Sequence, residues 1–390
     1  MFFINAKKQK DAATIPHTEK TSNQKMNYTF KNKDYSIKRY PVSKNNSLKP
    51  WGASDELCVN YISEHNVKKI AIANDSFGFL SVCLNGYLPC IIVNNKTQEL
   101  SIKNNLEQNK IPQQNVHFSY PLKALEKNID IGILKIPKAL DLFELYLQQL
   151  HQNLSVEGTI VCGFMTKYFT PQLLKIAEKY FNHIEQSKAV KKARLLILKQ
   201  KKAIEPVQLL HTIDYKNQKI KQYYGVFSAN HIDYATQFLI EHFALDATEK
   251  TVLDLASGNG ILAKTVLEQN PTAEVHLLDD SYLAIASSKL NLSEYNCHYH
   301  HAYNLDQFED NFFNLVISNP PFHFEYETNI SVPLGMFTQV ARCLKPTGRF
   351  IMVANRHLSY KKHLQNRFSS VEIIAENAKF VVYECFEPFR

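Results

Sequence analysis

The chain has no apolar stretch approaching the roughly 18–20 residues that a membrane-spanning helix needs. Its first residues, MFFINAKKQKD, hold too short an apolar run for a secretory signal, so a soluble, cytoplasmic protein with no membrane partner is expected. Cysteine is sparse and unpatterned. Seven are present (58, 83, 90, 162, 297, 343 and 385), an odd number with no C-x-x-C, which argues against a disulfide framework or a zinc knuckle and fits a reducing compartment. A strong charge of one sign is also lacking. Lys and Arg total 45 against 37 Asp and Glu, a net +8 that permits a polyanionic partner without requiring one.

Hydrophobic residues make up 45% of the 390, enough to build real cores. Single cores stop growing near about 250–300 residues, so two domains are expected. Residues 1–39, rich in Lys, Asn, Thr and Gln, read as a weakly ordered extension. Short β-branched runs then alternate with helical segments. KKIAIA (68–73), PCIIV (89–93), DIGILKI (130–136) and GTIVCGF (158–164) read as buried strands of a domain over 40–205. A hairpin-like linker with YKNQ at its turn covers 206–229. The rhythm then returns over 230–390 in TVLDLA (251–256), EVHLLD (274–279), FNLVISN (313–319) and GRFIMVAN (348–355). Strands alternating with helices imply an α/β, doubly wound architecture.

The halves read as copies of one unit. Without gaps, KKIAIANDSFGFLS (68–81) lies over KTVLDLASGNGILA (250–263), and DIGILKIPK (130–138) over NLVISNPPF (314–322). In that overlay Asp254 faces Ile72, Gly258 faces Ser76, and Asn319, Pro320 and Phe322 face Lys135, Ile136 and Lys138. Only the second half keeps polar, glycine-rich positions suited to chemistry.

Two of those places carry the functional reading. DLASGNG (254–260) is a glycine turn between a strand and a helix, where a ligand can approach the backbone and meet free N–H groups. A dinucleotide enzyme uses a similar turn, and an ordinary strand-to-helix connection needs glycine too. Asp279, at the end of the next strand, stands where an acidic residue reaches ribose hydroxyls in nucleotide folds. Either it or Asp280 could instead cap the helix that follows.

The second place is SNPPFH (318–323), at the C-terminal end of a central strand, where open α/β sheets bind ligands. The prolines remove two N–H donors. The Asn319 side-chain oxygen and the Pro320 carbonyl then suit a planar NH2 group, with Phe322 covering the ring that bears it. Such a nitrogen is poorly nucleophilic, and two acceptors can draw on its protons while aiming its lone pair at a methyl donor.

DLASGNG, LLDDS and SNPPFH, in this order, resemble the class I S-adenosylmethionine-dependent methyltransferases of the N-P-P-F/Y type. LKPWGASDE, LKIPKAL, VANRHLSY and NAKFVVYE narrow the resemblance to the ribosomal RNA large subunit methyltransferase G family, over residues 40–384. It implies two tandem Rossmann-like units, the N-terminal one degenerate and serving scaffold and RNA recognition. It also implies S-adenosylmethionine as cofactor, and N2 of a guanine in 23S ribosomal RNA, free or in a pre-ribosomal particle, as acceptor. Asp254, Gly258, Gly260, Asp279, Asn304 and Phe227 would bind the cofactor, and Asn319, Pro320, Pro321 and Phe322 the guanine. Two positions depart from the pattern: Ala256 replaces a glycine in the first motif, and Tyr234 replaces a glycine after Asp233.

Other clusters read as ordinary. Cys297, His298, His300 and His301 alternate between the faces of a strand, so no metal site is expected. KAVKKARLLILKQKK (188–202) has seven basic residues and no acidic one. It is either a solubilising flank or an RNA-contacting patch through Lys191, Lys192 and Lys201, with Lys135 and Lys138 as further candidates. His323 is adjacent to the tetrapeptide but is not required as a base. The competing readings are a small-subunit rRNA guanine-N2 methyltransferase, a DNA adenine or protein glutamine methyltransferase, a nucleotide-dependent oxidoreductase, which leaves SNPPFH unexplained, and a catalytically silent RNA-binding protein.

Overall fold

The computed structural model describes residues 26–40, 48–320 and 331–389, of which 331–334 by backbone alone. A hairpin of β1 (Met26–Phe30) and β2 (Lys33–Ile37) precedes β3 (Ile70–Ala73), β4 (Cys90–Ile92), β5 (His117–Ser119), β6 (Ile129–Lys135), β7 (Leu154–Met165), β8 (Phe181–Gln186) and β9 (Ala193–Lys201). A second hairpin, β10 (Leu210–Tyr215) and β11 (Gln218–Tyr223), leads to β12 (Thr251–Leu255), β13 (Glu274–Asp279), β14 (Cys297–His301), β15 (Phe313–Ser318), β16 (Leu344–Asn355), β17 (Phe368–Glu376) and β18 (Phe380–Pro388). The sheets run β5-β4-β3-β6-β7-β9-β8 and β14-β13-β12-β15-β16-β18-β17, so strand order is the same in both.

The register repeats as well. Ile70 pairs with Ile131 as Val252 pairs with Leu315, and Ala73 with Leu134 as Leu255 with Ser318, which are the partners that the ungapped overlay superimposes. The turn after the first central strand repeats its backbone: Asn74 and Ala256 have φ of 64° and 61°, and Gly78 and Gly260 have φ of 83° and 82°. The central strands pair in parallel, but the last two of each sheet are antiparallel, a mixed pattern that helix–strand alternation alone did not reveal.

The expected weakly ordered extension does not hold for residues 26–37. Polar composition hides an alternation that buries Phe30, Tyr35 and Ile37 in the first core, where Tyr28 packs edge-on to Phe79 at 4.9 Å. Asn109 and Gln108 complete the attachment through Ser36, whose N–H donates to Asn109 Oδ1 at 2.8 Å.

The halves meet through equivalent loops, the one after β4 and the one after β13. Asn95 and Ser281 form an antiparallel bridge. Tyr282 N–H donates to the Asn94 carbonyl at 2.7 Å, and Lys96 N–H to the Asp280 carbonyl at 3.0 Å. The Asp280 carboxylate accepts from Thr97 N–H at 2.8 Å, Thr97 Oγ1 at 2.6 Å and Asn95 Nδ2 at 3.1 Å. It therefore caps the helix Lys96–Gln108 of the other half. The helix that follows it in sequence, Tyr282–Asn291, is capped by Ser281, not by either aspartate. The β10–β11 hairpin adds a second joint. Asn291 bonds both backbone groups of Lys221, while Asp141 accepts from Gly225 N–H at 3.0 Å.

An ionised cap satisfying several donors contributes more than a neutral one. Asp280→Ala is expected to lower stability by about 1–3 kcal/mol in chemical denaturation. A variant as stable as the parent would show that this joint carries little energy.

Candidate active site

β12 delivers its chain into the turn that ends at Gly260, the first position before the helix Ile261–Gln269. A Cβ at Gly260 would come within 3.1 Å of Ser288, whereas one at Gly258 would meet nothing within 4 Å. One glycine thus serves helix packing, and the other leaves open space over the backbone. Ala256 adopts a left-handed φ of 61° without glycine, so the departure from the motif is absorbed as local strain.

Asp279 secures the turn from the neighbouring strand. Its Oδ2 accepts from Gly258 N–H at 2.9 Å and its Oδ1 from Ser281 N–H at 2.8 Å. Burial lifts its pKa to about 6 against those two bonds, with Asp280 adding to the rise. Asp254 is fully buried at the end of β12, and its Oδ2 accepts from Ala263 N–H at 2.9 Å. Burial lifts it to about 7, opposed by that bond and helped by Asp279. Asp254 Oδ1 and Ser257 Oγ are buried without a protein partner. Such atoms cost about 1–3 kcal/mol unless a donor meets them. This set of acceptors fits a ligand that carries an ammonium group and hydroxyls.

The residue between the glycines had no role in the sequence reading. Asn259 Nδ2 donates to Gln222 Oε1 at 2.8 Å, and Gln222 Nε2 reaches the carbonyls of Val226, Phe227 and Ser228. The loop bearing Phe227 is thereby tied to the glycine turn, with the Phe227 side chain 76% exposed beside it. Asn304 lies beyond β14, partly exposed, with its amide donating to Asp306.

The end of β15 lies beside these groups. Ser318 Oγ donates to the Leu255 carbonyl at 2.6 Å, fixing β15 to β12. Asn319 Nδ2 donates to Asp233 Oδ2 at 3.0 Å and to Thr236 Oγ1 at 2.8 Å. A carboxylate only accepts, so the group facing Asp233 must be the NH2, and Oδ1 is left as an acceptor. Asp233 is itself fixed as the cap of the helix Tyr234–His242, accepting from Ala235 and Thr236 N–H. Tyr234 adopts no positive φ, so the position expected to hold glycine does not require one. Thr236 went unnoticed in the sequence. Its signal is the third residue after a capping aspartate, which becomes meaningful only once Asn319 is placed beside it. Pro320 is buried, while Pro321, Phe322 and His323 lie outside the described residues.

The basic candidates divide. Lys201 Nζ donates to the Leu154 carbonyl at 2.9 Å, and Lys135 Nζ is 3.2 Å from buried Asp55, so both turn inward, away from a phosphate-contacting role. Lys191 and Lys192 are exposed in the β8–β9 turn, Lys191 being 3.3 Å from Glu56, and Lys138 is exposed after β6.

Comparison with known proteins matches two family profiles to the chain. The profile of the RLMG N-terminal domain matches residues 25–203, and that of the methyltransferase small domain matches 217–384. A ribosomal RNA large subunit methyltransferase G of Psychromonas ingrahamii is 31% identical over 365 residues, covering 89% of this chain and 95% of the relative. Its namesake from Yersinia enterocolitica is 31% identical over 362 residues, covering 89% and 91%. Among solved structures, the T. thermophilus 16S rRNA N2 methyltransferase RsmC, in complex with AdoMet and guanosine, superposes with a TM-score of 0.73. It is 18% identical and covers 93% of this chain and 98% of that one, a likeness of fold.

The two carboxylates make a pH prediction. Their folded pKa values, about 7 and about 6, exceed ordinary unfolded values near 3.9, so the stability they contribute is complete below about pH 4 and is lost as pH rises toward 7. Asp254→Asn keeps the shape and removes the larger loss. Without ligand it should be more stable than the parent at pH 8, and the difference should shrink at pH 4.5. An equal effect at both pH values in denaturant titrations would contradict the assignment.

Proposed function

The chain belongs to the ribosomal RNA large subunit methyltransferase G family, and from that membership we propose that it transfers a methyl group from S-adenosylmethionine to the exocyclic N2 of a guanine in 23S ribosomal RNA. The observation that carries this reading is the tethering of Asn319. With its NH2 held by Asp233 and Thr236, its Oδ1 presents a fixed acceptor beside the carbonyl of Pro320, which has no competing N–H.

Bound S-adenosylmethionine supplies a methyl group already activated on a sulfonium centre, so no metal or covalent enzyme intermediate is needed for the transfer. The residues that would hold it fit. Asp254 and Ser257 offer the partnerless acceptors for its ammonium, Gly258 the open backbone, and Asp279 a carboxylate for ribose hydroxyls. Asn304 and Phe227 are assigned to the adenosine side. Asn319 and Pro320 orient N2 and stabilise positive charge on it until its proton leaves to solvent, and the family resemblance assigns Pro321 and Phe322 to the base as well. A paired guanine hides N2 in the minor groove, so the target must be unpaired or flipped. The first half supplies RNA recognition, with Lys191 and Lys192 as its phosphate contacts. Lys191 itself is exposed, and its 3.3 Å contact with half-buried Glu56 leaves the ammonium open to solvent and to a phosphate. No helix among the described residues is long and apolar enough to cross a membrane, and a cytoplasmic location goes with this substrate.

Asn319→Ala should lower single-turnover methylation of an rRNA transcript by about 100-fold or more, with cofactor affinity by calorimetry nearly unchanged. Near-normal turnover would remove Asn319 from the chemistry. Reversing charge at Lys191 and Lys192 should reduce the slope of log affinity against log salt by about 0.7–0.9 for each phosphate no longer neutralised. An unchanged slope would move the recognition surface elsewhere.

A further inference from the structure

The expectation that the histidines after residue 296 form no metal site considered one strand alone. In the sheet, β14 runs parallel to β13 with His298 opposite His276 and His300 opposite Leu278. Residues two apart share a face. Glu274, His276, His298 and His300 therefore stand together on one face at the sheet's edge, apart from the glycine turn at the ends of the strands.

Glu274 Oε1 lies 3.3 Å from His276 Nε2 and 3.5 Å from His298 Nε2. One ligand atom from each of these three residues falls within 4.8 Å of the others, and among the described residues no other such group occurs. Zinc binds imidazole nitrogen and carboxylate oxygen at about 2.0–2.2 Å in a tetrahedron, which puts neighbouring ligand atoms about 3.3–3.6 Å apart. Two edges of the site already have that length. The third closes by a turn of the His298 side chain, which is 46% exposed.

The buried member is already oriented. The His276 ring sits edge-on to Phe308, Phe312 and Phe313 at 5.4–5.6 Å and stacks on His298 at 4.4 Å. Its Nδ1 is 3.1 Å from His300 Nε2. When Nδ1–H donates to His300, Nε2 keeps its lone pair, with Glu274 Oε1 3.3 Å away and the stacked His298 ring beside it. This is the way a second partner fixes the tautomer of metal-binding histidines.

We propose that Glu274, His276 and His298 bind one divalent transition-metal ion of the zinc class, with His300 as a positioning residue. Two imidazoles and a carboxylate suit zinc, cobalt or nickel better than magnesium or calcium. The half-exposed Glu274 and His298 leave the fourth position to water. The ion cross-links the edge strand β14 to β13. That strand ends at His301, whose Nε2 lies 2.9 Å from the Asp280 carbonyl and 3.2 Å from that of Asn94, so the cross-link bears on the joint between the halves.

The test is a titration of full-length, chelator-treated protein with Co2+, followed by visible absorption, then displacement by Zn2+. One equivalent should bind with a four-coordinate spectrum, and Zn2+ should raise the thermal unfolding midpoint. His298→Ala and Glu274→Gln should each weaken binding at least about tenfold and abolish the rise in midpoint, and His300→Ala should weaken binding about 10–100-fold without removing a ligand. Both ligand substitutions fall on half-exposed side chains, and if His298→Ala fails to fold, Glu274→Gln carries the test. No saturable binding by the parent protein, or equal affinity in the ligand variants, would mean an adventitious ion only and overturn the proposal. Unchanged affinity in His300→Ala would overturn its positioning role.

Discussion

Two adjacent carboxylates face opposite ways, and the arrangement of the molecule depends on them. Asp279 turns into its own half and holds Gly258 and Ser281 by their N–H groups. Asp280 turns into the other half and caps the helix Lys96–Gln108 through Thr97. The turn that would receive the cofactor and the joint between the halves therefore share one short stretch of backbone.

The duplication lets the two halves be compared place by place. In the second half, Asn319 at the end of β15 reaches Asp233 at the start of a helix. At the equivalent place in the first half, Lys135 at the end of β6 reaches buried Asp55 in the first turn of the helix Ala53–Ser63. An amide that leaves an acceptor exposed has been replaced by an ion pair that satisfies itself. Asp75 closes the neighbouring turn by accepting from Gly78 N–H and from both donors of Ser81. In the first half these polar groups are met by side chains and N–H groups of the protein itself. This also gives LKPWGASDE and LKIPKAL a physical meaning, since they carry the two ends of that ion pair.

What could be read from the sequence was local. The glycine turn, the strand ending in Asn-Pro-Pro-Phe and the hairpin at YKNQ each announce themselves within a few residues. The last does so through Lys216 and Asn217, both at positive φ. The overlay of the halves was legible because the register was kept without insertions along the central strands. Long-range partners were not legible. Nothing near Asn319 names Thr236, nothing near Asp280 names Thr97, and His276 meets His298 only through parallel pairing. Composition misled at residues 26–37, where polar residues between Phe30, Tyr35 and Ile37 masked a buried alternation. It misled again at Lys201, whose basic run conceals an ammonium committed to backbone carbonyls.

The site at the end of β15 is proposed to methylate N2 of a guanine in large-subunit ribosomal RNA. The most direct measurement is nuclease digestion and mass spectrometry of 16S and 23S rRNA from cells with and without this protein. N2-methylguanosine should be lost from one position of 23S rRNA and restored by the intact protein but not by Asn319→Ala. Unaltered 23S rRNA, or a loss confined to 16S rRNA, would contradict the account.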